Sequence, residues 1–175
     1  MILKVFKEKS IKKRINTLLS DRSVKSDNNQ AETLGVILNI DEIDNEESFI
    51  KLAKEIKIQP NRLKILAFSA KKKDALNVRA KGCYLEDFNW NGVVKNIEVQ
   101  SFLETDFDLL ISYYSSEILE LKLLTAVSKA KFKIGVLQSD ERLNDLIIKT
   151  KVNEFSVFKA EVLKYLTILN KISKA

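Results

Sequence analysis

The chain has no histidine, one cysteine, one proline and four glycines among its 175 residues. The missing histidine removes the commonest general base, the Ser-His-Asp and Cys-His catalytic arrangements, and most zinc sites. The lone Cys83 has no partner for an internal disulfide, which fits a reducing compartment, the cytoplasm. The glycines stand apart, at Gly35, Gly82, Gly92 and Gly135, so neither common Gly-rich phosphate cradle is present. No apolar run approaches the roughly 20 residues of a membrane span. Only Met1–Leu3 precede Lys4, and no secretory apolar segment follows.

What is present is an uneven charge. Residues 1–25 hold eight cations against Glu8 and Asp21, which accounts for the whole net charge of +6. The other 150 residues carry 22 Lys and Arg against 22 Asp and Glu. A neutral body with a basic N-terminal arm points to an anionic partner more than to a reaction.

The periodicity predicts a helix over residues 1–21, with Ile11, Ile15, Leu18 and Leu19 in phase and Lys12, Lys13 and Arg14 between them. Residues 23–32 (SVKSDNNQAE) are polar and aperiodic and read as a linker. The chain therefore divides into a basic amphipathic helix over 1–22, a linker over 23–32 and one α/β domain over 33–175.

In that domain, strands are predicted over 33–40 (TLGVILNI), 62–69 (RLKILAFS), 83–88 (CYLEDF), 107–112 (FDLLIS) and 131–137 (KFKIGVL), with an edge strand over 146–150. Helices are predicted over 45–57, with Asp44 and Glu47 as a capping box, over 115–130 and over 154–171. Residues 97–103 fit helix and strand alike, and 70–82 are polar without a clear element. Alternating strands and helices with β-branched apolar runs indicate a parallel sheet covered on both faces, a three-layer, Rossmann-like α/β fold.

The run FDLLISYYSSEILELKLLTAVSKAKFKIGVL from Phe107, with DFNWNG from Asp87, resembles a small uncharacterised family of Bacteroidota. That resemblance spans most of the chain, includes a lysine-rich N-terminal helix, and implies a fold without an activity. The same run is similar to the N-terminal half of heptosyltransferase-type glycosyltransferases, through the strand at 107–111 and the Ile134-Gly135 strand end. Those enzymes carry a Gly-Asp pair after the first strand, where this chain has Asn39-Ile40-Asp41-Glu42, and a second domain for which 175 residues leave no room. The likeness implies a shared half-fold.

Six cations, Lys4, Lys7, Lys9, Lys12, Lys13 and Arg14, are the candidates for binding an anionic macromolecule such as RNA or a ribosome, or a membrane surface. The plainer reading is a helix packed on the body with its lysines in solvent, and a homo-oligomer using the same apolar face is a third. The second candidate site is the set of strand C-terminal ends, where open α/β sheets bind ligands: Asp41, Ser69, Ser112, Tyr113 and Ser115. There Ser115 or Ser116 equally reads as a helix N-cap, with the tyrosines packed at the sheet rim. The acidic run Asp41, Glu42, Asp44, Glu46 and Glu47 suits a hard cation or, more plainly, a helix N-terminus. Lys71-Lys72-Lys73 meets a phosphate or forms a solvated loop. Cys83 reads as a small buried strand residue, since no histidine activates it. Trp90 is either an exposed anchor or a lid on the core. No catalytic residue, metal site or cofactor is expected. The reading is a non-enzymatic binding module, with a nucleotide- or sugar-phosphate-binding half-domain as the alternative.

Overall fold

A computed structural model describes residues 1–25, 27, 29–71, 81–136 and 138–173. Six parallel strands form one sheet in the order β3-β2-β1-β4-β5-β6: β1 Leu34–Asn39, β2 Leu63–Ser69, β3 Gly82–Tyr84, β4 Leu109–Tyr113, β5 Phe132–Val136 and β6 Leu146–Ile148. This is the doubly wound Rossmann order. Every residue of β1 and β4 is buried, as central strands covered on both faces require. The edge strands β3 and β6 have three residues each, which limits unpaired backbone at the rims.

Among the described residues five α-helices complete the layers: α1 Ile2–Asp21, α2 Glu46–Glu55, α3 Ile97–Glu104, α4 Leu119–Val127 and α5 Phe155–Ile168. The chain winds left from β1 through α2 to β2, and right from β4 through α4 to β5. Right-handed crossovers then demand opposite faces for α2 and α4. The core divides accordingly. Ile37, Phe68 and Leu110 pack with α1, α3 and α4 on one face, whereas Val36, Leu38 and Ile111 pack with α2 and α5 on the other.

The helix α1 belongs to the first of these clusters. Ile11, Ile15 and Leu19 are buried against α4 and its neighbours. Gly92 permits the approach: its φ is +78°, and a Cβ there would stand 2.7 Å from Leu123 and 3.0 Å from Ile11. Arg14 donates to the Gly92 carbonyl at 2.9 Å. At the other end of α1, Arg22 forms two contacts of 2.5 Å with Asp145.

Several predicted elements change shape. The ambiguous 97–103 stretch is helix α3, because the Asn96 side chain caps it by accepting from the N–H groups of Glu98 and Val99 at 3.0 and 3.4 Å. The 83–88 strand shortens to Gly82–Tyr84, followed by a 3-10 turn over Leu85–Asp87. The cap position of α2 is Asn45 rather than Asp44, and the Asn45 side chain makes no cap hydrogen bond. The 115–130 helix begins only at Leu119, with Ile118 as its cap residue, which removes Ser115 and Ser116 from the N-cap role. Most of the 70–82 stretch, with Lys72 and Lys73, and the end of the 131–137 strand at Leu137 lie outside the described residues.

Candidate functional site

The strand order reverses between β1 and β4, and the segments leaving their carboxyl ends flank the crevice where this fold accepts ligands. On one lip, Asn39 is buried at the end of β1. Its side-chain amide donates to Glu42 at 3.1 Å and to the Ser116 hydroxyl at 3.0 Å, and its carbonyl accepts the Asp41 N–H at 3.2 Å. Glu42 reaches across to the other lip and accepts the Ser115 N–H on both oxygens, at 3.1 Å each, together with the Ser115 hydroxyl. Asp41 turns the opposite way, toward β2. It accepts the Ser69 hydroxyl at 2.8 Å and the Ala70 N–H at 2.7 Å, with Lys71 3.8 Å away. One continuous band of hydrogen bonds thus crosses the ends of β2, β1 and β4.

Three of the five residues predicted there, Asp41, Ser69 and Ser115, lie in this band. The other two leave it, because successive strand residues point to opposite faces. The Ser112 hydroxyl is buried against that of Thr125 at 2.9 Å, on the α4 side. Tyr113 points to the α5 side, where its hydroxyl donates to the Val152 carbonyl at 2.7 Å and its ring meets Phe49 and Phe158 edge-on. Burial, followed by the charge of Glu154, pushes its phenol up to about 12. Tyr114 is fully buried and bonds the Thr125 hydroxyl at 2.7 Å.

Asn39, Glu42 and Ser116 complete the band and were absent from the predicted set. Asn39 carried the one usable signal, since a polar residue closing a fully apolar strand has to find partners when buried. Chemically, the carboxylate of Glu42 occupies the Ser115 N–H that an anionic ligand would use. The acidic run is dispersed, with Asp41 and Glu42 engaged as above and Glu47 paired with Lys51 at 2.9 Å. No group of three His, Cys, Asp or Glu residues is arranged to hold a metal ion among the described residues. A cavity of about 470 Å³ lies at the other end of the sheet, bounded by Gln30–Glu32 ahead of β1, Gln59 and Arg62 ahead of β2, and the end of α5.

The cations of α1 divide in two. Lys7 pairs with Glu120 at 2.8 Å and Arg14 is held by Gly92. Lys4, Lys9, Lys12 and Lys13 are exposed and form no ion pair among the described residues. The first turns also carry Met1, Ile2, Leu3, Val5 and Phe6 exposed to solvent, a feature the 3.6-residue pattern of the buried face did not reveal. Cys83 is buried in β3, where burial and then Asp87 push its thiol up. Trp90 is exposed in the turn beside α1.

No helix among the described residues is long and apolar enough to cross a membrane. No curated protein and no solved structure matches the chain. A family model does match residues 7–169, which take in α1 from Lys7 onward and the sheet with its other helices, and the chain belongs to that family, a family of unknown function (DUF6913).

Proposed function

We propose that this protein is a non-enzymatic, Rossmann-like binding module of the cytoplasm that associates with an anionic partner through α1. The observation that carries the reading is the contrast between the two sides of one helix. Ile11, Ile15 and Leu19 fix it to the body, while Lys9, Lys12 and Lys13, together with Lys4 in the exposed first turn, meet no carboxylate among the described residues. Exposed cations on a helix fixed to the body favour a polyanion, and each contact adds salt dependence. In this reading residues 1–22 are a basic arm, 23–32 a linker and 33–175 the supporting domain. The single Cys83 supports a reducing compartment.

The test is retention on an anionic matrix such as heparin across a salt gradient. Lys9→Glu with Lys12→Glu and Lys13→Glu is expected to elute at clearly lower salt than the native chain while melting at the same temperature. Equal elution would remove the reading.

The strand order favours a second reading, a glycosyltransferase-like half-domain that binds a nucleotide or sugar phosphate at the strand C-terminal ends, near Asp41, Ser69 and Ser115. A melting-temperature screen with nucleotides and sugar phosphates tests it, because saturating ligand stabilises by about 2.7 kcal/mol at 100 times its Kd. A flat screen removes this reading and leaves the first intact.

A further inference from the structure

The start of α1 carries two kinds of residue on the side that faces away from the protein. By helical periodicity, Ile2, Phe6, Lys9 and Lys13 share the side opposite Ile11 and Ile15. The body covers one side of the helix from Ile11 onward, whereas residues 1–6 are exposed all round. On the outer side Ile2 is 73% exposed and Phe6 61% exposed. The outer side therefore begins apolar and becomes cationic one turn later.

We propose that the first two turns of α1 insert into the interface of an anionic lipid bilayer, with Ile2, Leu3 and Phe6 among the acyl chains and Lys9 and Lys13 at the headgroups. This rests on the reading of α1 as the helix that meets an anionic partner, and it names that partner. An amphipathic interfacial helix needs both an apolar wedge and a basic collar, and one signal alone holds weakly. Both are present, in the order that insertion from the tip requires.

Charge decides against the other occupants. Residues 1–14 hold six cations and the single anion Glu8. A second copy seated on the same tip would bring like charges together, at a cost in affinity. A nucleic acid would satisfy the lysines but would strand the aliphatic side chains of Ile2, Leu3 and Val5, which offer no stacking surface.

The experiment is flotation of the full chain with vesicles of phosphatidylcholine alone and of phosphatidylcholine mixed with phosphatidylglycerol. The native chain should float with the anionic vesicles and not with the neutral ones. Ile2→Ser with Phe6→Ser, and separately Lys9→Glu with Lys13→Glu, should each bind about tenfold more weakly. All four positions lie on the exposed side, so melting temperatures should stay unchanged. In a Trp90→Phe background, Phe6→Trp should shift its emission to the blue on anionic vesicles.

Undiminished vesicle binding by the serine variant overturns insertion. Lysine-dependent binding to single-stranded RNA with no vesicle binding overturns the lipid proposal but preserves the anionic-partner reading. A lysine variant indistinguishable from the native chain on both vesicles and RNA overturns the two together. A self-associated species in sedimentation that the serine variant abolishes, without vesicle binding, assigns the tip to a second copy instead.

Discussion

Glu42 holds the Ser115 N–H between its two carboxylate oxygens, 3.1 Å from each, and so joins the turn after β1 to the turn after β4 across 73 residues of sequence. The bond sits at the reversal of strand order, where related architectures leave a crevice. Glu42 also accepts from Asn39, whose own burial depends on having such partners.

Replacing Glu42 by Ala should therefore release the Ser115 N–H and hydroxyl and one of the Asn39 bonds together. Losing hydrogen bonds to a charged acceptor costs about 2 kcal/mol, which at this chain length lowers Tm by roughly 4–8 °C. Glu42→Gln keeps one acceptor oxygen and should lose less. Thermal unfolding followed by circular dichroism reads both, and a native Tm for the Ala variant would show that the bridge contributes nothing.

The helix α1 is fastened by Ile11, Ile15 and Leu19, by Arg14 on Gly92 and by Arg22 on Asp145. Ile15→Ala should cost about 2–4 kcal/mol through lost burial and the cavity left behind. A chain beginning at residue 26 should unfold at far lower urea, because the α4 surface under α1 is then bare. For that reason binding by α1 is tested with exposed point variants rather than by truncation. Cooperative unfolding of the truncated chain at the native urea midpoint would contradict this.

Lys133 on β5 is 1% exposed and donates to the Thr125 and Ala126 carbonyls, at 2.6 and 3.3 Å. Burial, aided by the charge of Arg22 and opposed by Asp145, brings its ammonium down to about 7. The unfolded chain holds the proton up to about pH 10.4, so stability rises with pH from about 7 toward 10.4 and is lowest at and below 7. Lys133→Met removes a penalty on the order of 4 kcal/mol at neutral pH and loses about 1–2 kcal/mol of hydrogen bonding. The variant should exceed the native urea midpoint at pH 6.5, with the difference shrinking as pH rises and reversing near pH 10. A less stable variant at pH 6.5 would refute the assignment.

Asp108 ties together the starts of three strands. It accepts the N–H groups of Glu32 and Thr33 at 3.0 and 3.1 Å, the Thr33 hydroxyl at 2.9 Å and the Lys131 ammonium at 2.7 Å. Burial raises its carboxyl, but the Lys131 contact and the donors at Glu32 and Thr33 outweigh it and leave the group below the usual carboxylate range. A depressed folded value means stability that is present above about pH 4 and is lost as pH falls through the folded value. Asp108→Asn should unfold at lower urea at pH 7, and its deficit should shrink on acidification toward pH 3. A deficit that stays constant with pH would exclude the ionised bridge.

The order of strands and helices was legible because burial writes itself into residue spacing. LGVILN reads as a strand covered twice, and Phe49, Leu52 and Ala53 read as one helical side. The family membership agrees with the resemblance to an uncharacterised family. Local bonding was less legible. Asn39 was missed, and Glu42 and Ser116 were read as helix-terminus residues, because the bonds from Asn39 to Ser116 and from Glu42 to Ser115 span 77 and 73 residues; Ser115 likewise reads as a cap until Glu42 takes its N–H. Ser112 and Tyr113 share a strand end in sequence, yet the pleat sends them to opposite faces.

By itself the sequence determined the alternation of elements, the apolar interior, the charge concentrated in the first 25 residues and the exclusion of histidine chemistry, because composition and periodicity are properties of the chain alone. The tertiary structure decided the strand order, the Glu42 bridge between the ends of β1 and β4, and which side of α1 is spent on the core. Helical spacing marks an apolar side but does not say what covers it. That answer depends on contacts between residues far apart in sequence, and only the assembled fold creates them.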